Sequence, residues 1–364
     1  MSLSIKDWLT TNQQTGALFT SKEAIRDLAG YETDPHERII AYYIDESGAQ
    51  FLFVPFLEEN MAKEKVLSMP VYSYQDGENP FNKIAHQIHQ LQKQSNMTIA
   101  IEYDHFNYYY LKSFEAAHLN SWGADLSRWL EEKRMIKSKE ELGHLFASGK
   151  IAEKMVQFIR DHLVEGVTEI ELVQQAELAM RQLGVKEFSF GTIVLFGDHA
   201  ADPHGEPGQR QLQKNEWVLM DLGVMWEGYA SDITRMTFFG EKDVDSLDNQ
   251  KVYDVVLRAH HTAMQQAKIG MTASELDQIA RSIIEEAGYG DAFIHRLGHG
   301  IGRTAHEFPS IVGGNDLVLK EGMCFSIEPG IYLSNQIGVR VEDCGVLTKD
   351  GFQSFTSSPY ANEL

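Results

Sequence analysis

The first 130 residues alternate between short apolar runs and runs in which apolar positions recur at helical spacing. Arg38 to Ile44 and Gln50 to Phe56 flank the turn sequence Asp45-Glu46-Ser47-Gly48, which predicts a β-hairpin. Strands interleaved with helices indicate an α/β domain with a mixed sheet over residues 1–130. The further elements predicted are strands at residues 71–74 and 97–101 and helices at residues 57–66 and 80–91.

A charged stretch, residues 131–141, follows this domain and marks its boundary. We assign residues 131–138 to a linker and residues 139–364 to a second domain. Ser138-Lys139-Glu140-Glu141 is a capping box, in which the side chains of the first and fourth residues close the amino end of a helix. The apolar positions that follow share one helical face up to about His162, so a long helix opens the second domain.

The second domain has the pattern of a diverged internal repeat. Further capping boxes begin at Thr168 and Thr272, each after one helix and before another. The second helix of each set ends near Gly184 or Gly288, and glycine suits the position just past a helix. Both sets continue with strands and then a hairpin that bears two carboxylates. The repeat predicts an α+β domain with pseudo-two-fold symmetry and a site at the junction of its halves.

The first carboxylate hairpin is predicted at residues 217–239. Its turn falls at residues 226–228, so the midpoint of Asp221 and Asp232 lies at the turn. In a symmetric hairpin these two carboxylates face each other on the same side of the sheet.

The second carboxylate hairpin, residues 323–347, has its turn at residues 334–336 and places Glu328 opposite Glu342 in the same way. Like charges that face each other across strands cost stability. Two such pairs in equivalent positions of two repeats need a countercharge. A divalent cation is the simplest one, and four carboxylates can hold two ions.

One histidine, His299, lies in the glycine-rich sequence 297–302, where small residues let the backbone approach closely and the imidazole reach into a site. A single imidazole with four carboxylates suits Mn, Co, Zn or Fe, and the oxygen-rich set favours Mn or Co. The predicted two-metal hydrolase site has five ligands: Asp221, Asp232, His299, Glu328 and Glu342.

Composition adds mainly exclusions. The chain has 364 residues, 43% of them hydrophobic, which suits two folded domains. Its net charge of −21 repels phosphates and anionic lipids, so nucleic-acid and membrane partners are disfavoured. Residues 1–10 lack the apolar segment of a secretory signal, so a cytoplasmic location is expected. Cys324 and Cys344 are interpreted as two buried small hydrophobic residues, since two cysteines make no disulfide framework.

Six motifs together resemble those of the pita-bread metallopeptidases, the family that includes methionine aminopeptidase, aminopeptidase P, prolidase and creatinase. The resemblance covers about residues 140–350 and includes all five predicted ligands in order. The motifs are Asp221-Leu222-Gly223, Ser231-Asp232-Ile233-Thr234-Arg235, Gly298-His299-Gly300-Ile301-Gly302, His306-Glu307, Glu328-Pro329-Gly330 and Val339-Arg340-Val341-Glu342-Asp343.

The α/β domain is similar to the amino-terminal domain of the prolidase, aminopeptidase P and creatinase branch, and Pro203-His204-Gly205 and Phe293-Ile294-His295-Arg296 agree with that branch. The chain resembles bacterial Xaa-Pro dipeptidases, also called prolidases, in its compact length. This resemblance implies a cytoplasmic homodimer that hydrolyses Xaa-Pro dipeptides and releases carboxy-terminal proline. The alternatives are an aminopeptidase P, which removes the residue before proline from longer peptides, and, more remotely, a non-catalytic binding module.

By the same resemblance, Asp221 would hold one ion, Asp232 and Glu342 would bridge both, and His299 and Glu328 would hold the other. Two ions that share a water lower its pKa towards neutrality and present hydroxide to the scissile carbonyl.

Three residues are candidates for acid–base and electrostatic work. Glu328 is expected to take the remaining proton of the water as general base. His306 is expected to stabilise the developing oxyanion together with one ion. Because the leaving nitrogen of an Xaa-Pro bond belongs to a tertiary amide, it must be protonated, and His204 or Glu328 could deliver that proton.

The substrate contacts are predicted less sharply. Arg340 is predicted to bind the terminal carboxylate of a dipeptide or, equally, to form a salt bridge with a ligand carboxylate. His295 is the better-placed carboxylate partner. Phe188, Phe190 and Tyr332 are candidates for the prolyl slot, with plain core packing as the alternative for each.

The polar loop at residues 30–36 carries Asp34 and His36. We predict that it reaches an active site, either its own or that of a dimer partner, and pairs with Arg296; the alternative is an ordinary solvated loop.

Overall fold

The structure is a computed structural model that describes residues 4–92, 96–241 and 244–360, without the side chains of residues 244–247. Residues 1–3 and 361–364, the ends of the two predicted domains, lie outside the described residues. None of the described helices is both long and apolar enough to cross a membrane.

The chain divides into two compact units, Met1–Lys133 and Arg134–Leu364. A helix at Ser127–Met135 runs across this division. Residues 131–135 of the segment that the sequence analysis assigned as a linker are therefore helical.

The first unit alternates helices and strands: α1 Ile5–Thr11, β1 Gly16–Phe19, α2 Lys22–Ala29, β2 Ala41–Asp45, β3 Gln50–Pro55, α3 Glu59–Lys65, β4 Val71–Tyr74, α4 Pro80–Leu91, β5 Ile99–Ile101, α5 Tyr108–Ala116, β6 Trp122–Asp125 and α6 Ser127–Met135. The strands form one sheet in the order β4-β3-β2-β1-β5-β6. Strand β1 is antiparallel to β2 and parallel to β5, so the prediction of a mixed sheet is confirmed.

The hairpin predicted in this unit is confirmed as β2 and β3, although β2 begins at Ala41 and not at Arg38. Helix α4 has the predicted bounds, because Asn79 caps its first turn and Pro80 suits the first helical position. The helix predicted from residue 57 begins instead with a 3-10 turn at Phe56–Glu58.

The second unit contains α7 Lys139–Asp161, α8 Glu169–Gln182, β7 Glu187–Phe188, β8 Ile193–Phe196, β9 Glu216–Leu222, β10 Val224–Trp226, β11 Tyr229–Ala230, β12 Ile233–Phe239, α9 Val244–Gln266, α10 Ala273–Glu286, β13 Gly298–Gly300, β14 Glu307–Ile311, β15 Cys324–Ile327, β16 Gly330–Leu333, β17 Ile337–Arg340, β18 Glu342–Thr348 and β19 Gly351–Ser354. Its main sheet has the order β14-β13-β15-β18-β12-β9-β8, and β19 pairs with β18.

The internal repeat is confirmed by the helix lengths. Helices α7 and α9 have 23 residues each, and α8 and α10 have 14 each. Capping boxes close the amino ends of α7, α8 and α10 at Ser138, Thr168 and Thr272, as predicted. The two halves meet where β12 pairs antiparallel with β18, so side chains on these two strands are shared between the repeats.

Helix packing decides which way the strand residues point. Val218, Met220 and Leu222 of β9 are buried in one cluster with apolar residues of α7 and α8. Because alternate residues of a strand point to opposite faces, this packing turns Asp221 to the other face of the sheet. Both cysteines are free and buried, as predicted.

Candidate metal centre

The centre lies where the two halves of the second unit meet. Asp221 is near the end of β9, Asp232 precedes β12, and Glu342 is the first residue of β18. Thr234 of β12 is opposite Asp221 on one side and opposite Glu342 on the other. Thr234 Oγ1 donates a hydrogen bond of 2.8 Å to Glu342 Oε2, which fixes that carboxylate where the two halves meet.

The predicted pairing of Asp221 with Asp232 is wrong by two residues, since Asp221 is opposite Thr234. The cause is the turn. Glu227 and Gly228, both with positive φ, form a two-residue connection with Trp226 opposite Tyr229. The midpoint of the hairpin thus lies one residue later than predicted. Asp221 and Asp232 are diagonal neighbours, so they still share one face of the sheet.

The second hairpin keeps the predicted register. Ile327 is opposite Asp343 and, nearer the turn, Gly330 is opposite Arg340. Both pairings belong to the register in which Glu328 faces Glu342. The four carboxylates are therefore brought together, two from each repeat.

His299 reaches this cluster because its backbone lies close to β15. A Cβ at Gly298 would lie 1.9 Å from the carbonyl oxygen of Ser326, so only glycine allows this approach. His299 Nδ1 donates to the carbonyl of Gly300 at 3.1 Å, which leaves Nε2 as the free ligand nitrogen. That nitrogen lies 3.2 Å from Glu328 Oε1 and 3.6 Å from Asp232 Oδ2.

The carboxylates repel one another. Burial raises the pKa of Asp221, Asp232 and Glu342 above the usual range, and the charge of neighbouring carboxylates raises it further. Glu328 is the exception. Burial alone would raise its pKa, but the hydrogen bond and charge of His299 outweigh burial and lower it to about 2.

The donor atoms fit divalent cations. Asp221, Asp232 and Glu342 form one group whose ligand atoms lie within 4.8 Å of one another, and His299, Glu328 and Glu342 form a second. Asp221 Oδ1 is a buried carboxylate oxygen that has no hydrogen-bond partner among the described residues. An unpaired buried oxygen beside other carboxylates is what a bound ion would satisfy.

Arg340 is held by the cluster itself. Its guanidinium forms a salt bridge with Asp221 and donates to the Tyr332 hydroxyl at 2.6 Å and to Thr234 Oγ1 at 3.2 Å. Of the two roles predicted for Arg340, the salt bridge to a ligand carboxylate is the one observed. The Tyr332 hydroxyl in turn lies 3.0 Å from His295 Nε2, and burial lowers the pKa of His295.

The cluster forms one wall of a cavity of about 550 Å³. The cavity is also lined by His204, Phe190, Ile193, Ile294 and Arg296. The predicted site residues that line the cavity are Asp221, Asp232, His299, Glu328, Glu342, His204, His306, His295, Arg340, Tyr332 and Phe190.

Phe188 does not line this cavity; it packs under Arg181, 5.1 Å from the guanidinium carbon, so core packing was the correct alternative for it. His306 is an exposed residue whose ring meets that of His299 edge-on, with 4.1 Å between centroids. Burial of the His306 ring nitrogens, together with the charge of His299, lowers its pKa to about 4.

Two polar residues at the centre were missed by sequence reasoning. Thr234 links Arg340 to Glu342, and Ser326 Oγ accepts from the His299 amide at 2.9 Å and donates to Glu328 Oε1 at 3.2 Å. Both are two residues from a predicted ligand on the same strand, and the two-residue period of a strand could have identified them.

Known proteins share both units. Residues 144–349 match metallopeptidase family M24, and residues 3–136 match the creatinase/prolidase N-terminal domain. The Xaa-Pro dipeptidase of Lactobacillus delbrueckii subsp. lactis is 44% identical over 354 residues, which are 97% of this chain and 95% of that protein.

Two solved structures have the same fold along the whole chain. A dipeptidase from Pyrococcus horikoshii OT3 superposes with a TM-score of 0.89 at 34% identity, covering 100% of this chain and 99% of that one. The prolidase from Pyrococcus furiosus superposes with a TM-score of 0.87 at 32% identity, covering 98% of this chain and 100% of that one. The predicted creatinase-like domain and pita-bread catalytic domain are thereby confirmed, and the chain belongs to metallopeptidase family M24.

Proposed function

We propose that this protein hydrolyses Xaa-Pro dipeptides and releases carboxy-terminal proline, with two divalent metal ions bound at the centre. The observation that carries the proposal is the joining of five metal-ligand side chains on one wall of a cavity of about 550 Å³. The substrate class is supported by a relative named Xaa-Pro dipeptidase that is 44% identical over 97% of this chain.

For the ions, we propose that Asp221 holds one, that His299 and Glu328 hold the other, and that Asp232 and Glu342 are shared. This division is supported by three groups of donor residues, Asp221–Asp232–Glu342, His299–Glu328–Glu342 and Asp232–His299–His306, in which Asp232 and Glu342 each occur twice. One imidazole among four carboxylates favours Mn or Co, with Zn or Fe as alternatives. When bound, such ions lower the pKa of a water towards neutrality and polarise the scissile carbonyl.

Glu328 and His306 would then act on opposite sides of the reacting carbon. A pKa of about 2 keeps Glu328 ionised at pH 7, ready to accept the proton of the attacking water. A pKa of about 4 keeps His306 neutral, so its N–H can donate to the developing oxyanion. His204 or Glu328 would protonate the prolyl nitrogen, which cannot leave as an anion.

The substrate would lie in the cavity that the carboxylates line, with its scissile carbonyl beside them. Because Arg340 is bound to Asp221 and Tyr332, we assign it an indirect role through the Tyr332 hydroxyl. His295, which is bonded to that hydroxyl, is then the proposed partner of the terminal carboxylate. Phe190 is the proposed wall of the prolyl slot.

Substrate length separates the proposal from its alternative. After chelation and addition of Mn or Co, the protein should cleave Leu-Pro well, Leu-Gly poorly and Leu-Pro-Pro poorly. Preferential cleavage of Leu-Pro-Pro would make the protein an aminopeptidase P. No cleavage of any of these peptides in protein that binds the ions would favour the binding module.

A homodimer is also proposed, on the family resemblance alone, and sedimentation would test it. A cytoplasmic location is proposed because residues 1–10 lack the apolar segment of a secretory signal, and cell fractionation would test it. Within the loop at residues 30–36, the His36 amide donates to Asp34 Oδ1 at 3.3 Å. That this loop reaches a site and pairs with Arg296 stays a prediction, and removing both its polar groups should change KM.

A further inference from the structure

The loop between β13 and β14 carries His306, and the backbone of this loop places the imidazole beside His299 and Asp232. Within residues 4–92, 96–241 and 244–360, no side chain forms a hydrogen bond with the His306 ring. Its contact is the edge-on packing against His299, at 4.1 Å between centroids. The position of the ring over the carboxylate cluster therefore depends on how the backbone of residues 301–306 is held.

The next residue, Glu307, holds that backbone. Its Oε1 accepts the amide N–H of Arg303 at 2.7 Å and that of Thr304 at 3.3 Å. Thr304 Oγ1 donates to the carbonyl oxygen of His306 at 2.9 Å, so a hydrogen bond within the loop adds to those that join the loop to Glu307. The Glu307 side chain is only 8% exposed, so these bonds compete little with water.

Gly302 makes room for this carboxylate. A Cβ at Gly302 would lie 2.5 Å from Glu307 Oε2, so the carboxylate packs on bare backbone. The Gly302 carbonyl accepts the amide of Ala230 at 2.8 Å, which ties the loop to β11. The last glycine of the motif that contains His299 therefore serves the His306 loop.

Lys137 completes the arrangement from a distant part of the chain. Its ammonium group, on a side chain 2% exposed, lies 2.8 Å from Glu307 Oε2 and donates to the carbonyl of Arg134 at 2.5 Å. Its own amide donates to the carbonyl of Gly322 at 3.0 Å, so the lysine backbone is fixed beside β15. A buried carboxylate with a buried cation is a rigid anchor, because neither partner can exchange the other for water.

We infer that Glu307 and Lys137 are positioning residues that set the His306 imidazole for catalysis. The inference rests on the role proposed above for His306 and deepens it. Removal of a group that orients a catalytic side chain typically costs about 10–100-fold in activity. The loss falls on kcat, because an oxyanion donor acts in the transition state and not in substrate binding.

The contacts of Glu307 with Lys137 and with the amides of Arg303 and Thr304 form a clamp on the His306 loop, and Glu307→Gln tests this clamp directly. Glutamine keeps the size of the side chain but turns one acceptor oxygen into a donor that faces Lys137 or the loop amides. We expect kcat for Leu-Pro to fall about 10–100-fold with KM and bound metal little changed. His306→Ala should also lower kcat, and the double variant should fall no further than His306→Ala alone. A full multiplicative loss in the double variant would overturn the inference.

Failure of the underlying proposal is a separate outcome. If His306→Ala leaves kcat unchanged, the role of His306 in the proposed function is wrong, and the clamp loses its purpose. If His306→Ala lowers kcat but Glu307→Gln does not, the proposed function stands and only the clamp is wrong.

Lys137 supplies a second route if Glu307→Gln fails to fold. Lys137→Met should lower kcat as Glu307→Gln does, and Lys137→Arg, which keeps the charge, should restore most of it. Equal kcat in the two lysine variants would overturn the inference.

Glu102 in the first unit provides a matched control. It is 2% exposed and accepts two successive amides, those of Thr20 at 2.8 Å and Ser21 at 3.1 Å, in the same way as Glu307. Glu102→Gln should alter stability and leave kcat unchanged. If it lowered kcat as much as Glu307→Gln, the losses would reflect general destabilisation, and the inference would be overturned.

Discussion

Glu342 and Asp343 are consecutive, fully buried carboxylates on β18 that point to opposite faces of the sheet. Glu342 faces other carboxylates, and burial together with the charges of Glu328 and Asp221 raises its pKa well above the usual range. Burial alone would also raise the pKa of Asp343, but Arg235 and His260 together outweigh burial and hold that pKa below the usual range.

The surroundings of Asp343 explain the difference. Arg235 lies 2.6 Å from Asp343 Oδ1, and Tyr360 donates to Oδ2 at 2.7 Å. Thr356 donates to Oδ1, and His260 Nε2 lies 3.3 Å from Oδ2. A buried charge needs a countercharge, and the chain supplies one to Asp343 but not to Glu342. On the face that lines the cavity, the buried cation Arg340 is paired with Asp221, and no further cation among the described residues forms an ion pair with Glu342.

The largest effect is expected on activity. Asp232→Asn keeps the shape of the side chain but removes the charge that would be shared between two ions. We expect kcat/KM for Leu-Pro with Mn or Co to fall by at least about 10³-fold, because each ion contributes several kcal/mol to the transition state. Asp248→Asn, which loses only a surface pair with Lys251, should behave as wild type. Substantial activity in Asp232→Asn would contradict the two-metal assignment.

Asp343→Asn tests the other face. The substitution leaves Arg235 buried without its anionic partner, which should cost about 3–5 kcal/mol of unfolding free energy. Urea denaturation should give this loss with or without added metal, since the pair is internal to the chain. A change below about 0.5 kcal/mol would mean that Arg235 is satisfied by its backbone carbonyl partners alone.

In metal-free protein, Glu342→Gln should raise the free energy of unfolding, whereas Asp343→Asn should lower it. Removing one of several mutually repelling carboxylates should stabilise the chelated protein by about 1 kcal/mol at pH 7. In urea denaturation with a chelator, Glu342→Gln should therefore unfold later than wild type, and Asp343→Asn earlier. The same sign for both variants would remove the distinction between the two faces.

The smallest effect is a pH dependence of the metal-free protein. Asp221, Asp232 and Glu342 have raised pKa values when folded, so the folded chain binds more protons than the unfolded chain above about pH 4.5. The stability that these raised pKa values contribute is fully present below the unfolded pKa and is lost as pH rises through the folded pKa. Glu328 and Asp343 have lowered pKa values, so the stability that they contribute to the fold is lost only at lower pH, as they become protonated. Histidines with lowered pKa values, such as His306 and His295, act in the opposite direction over this range, so the effect is measured as the difference between Glu342→Gln and wild type with chelator. The advantage of the variant in urea midpoint should grow from pH 5 to pH 7, and a constant or shrinking advantage would contradict this.

The sequence predicts features whose signals are local. Capping boxes at Ser138, Thr168 and Thr272 fix three helix starts, and the repeat they mark predicts the pseudo-two-fold domain, while six short motifs lead to the family. The facing of Glu328 and Glu342 follows from a three-residue turn that the sequence places correctly.

Features that depend on backbone geometry or distant partners are not predicted. The register at Asp221 is missed because Glu227 adopts a positive φ that its sequence does not announce. Which of two roles Arg340 takes depends on where Tyr332 and Asp221 lie in space. Asp343 appears in the sequence only as the last residue of a motif, and its role is not predicted because its partners are 13 to 108 residues away.

Thermal unfolding of chelator-treated protein with increasing Mn²⁺ tests the central claim. The claim is that the carboxylates on the face of the sheet that carries Glu342 take their countercharge from metal ions in solution. Wild type should show a melting temperature that rises with ion concentration, since a ligand that binds only the folded state stabilises it by mass action. Glu342→Gln should melt higher than wild type without the ion and gain much less from it. An unchanged melting temperature for wild type, or an equal rise in both proteins, would contradict the claim.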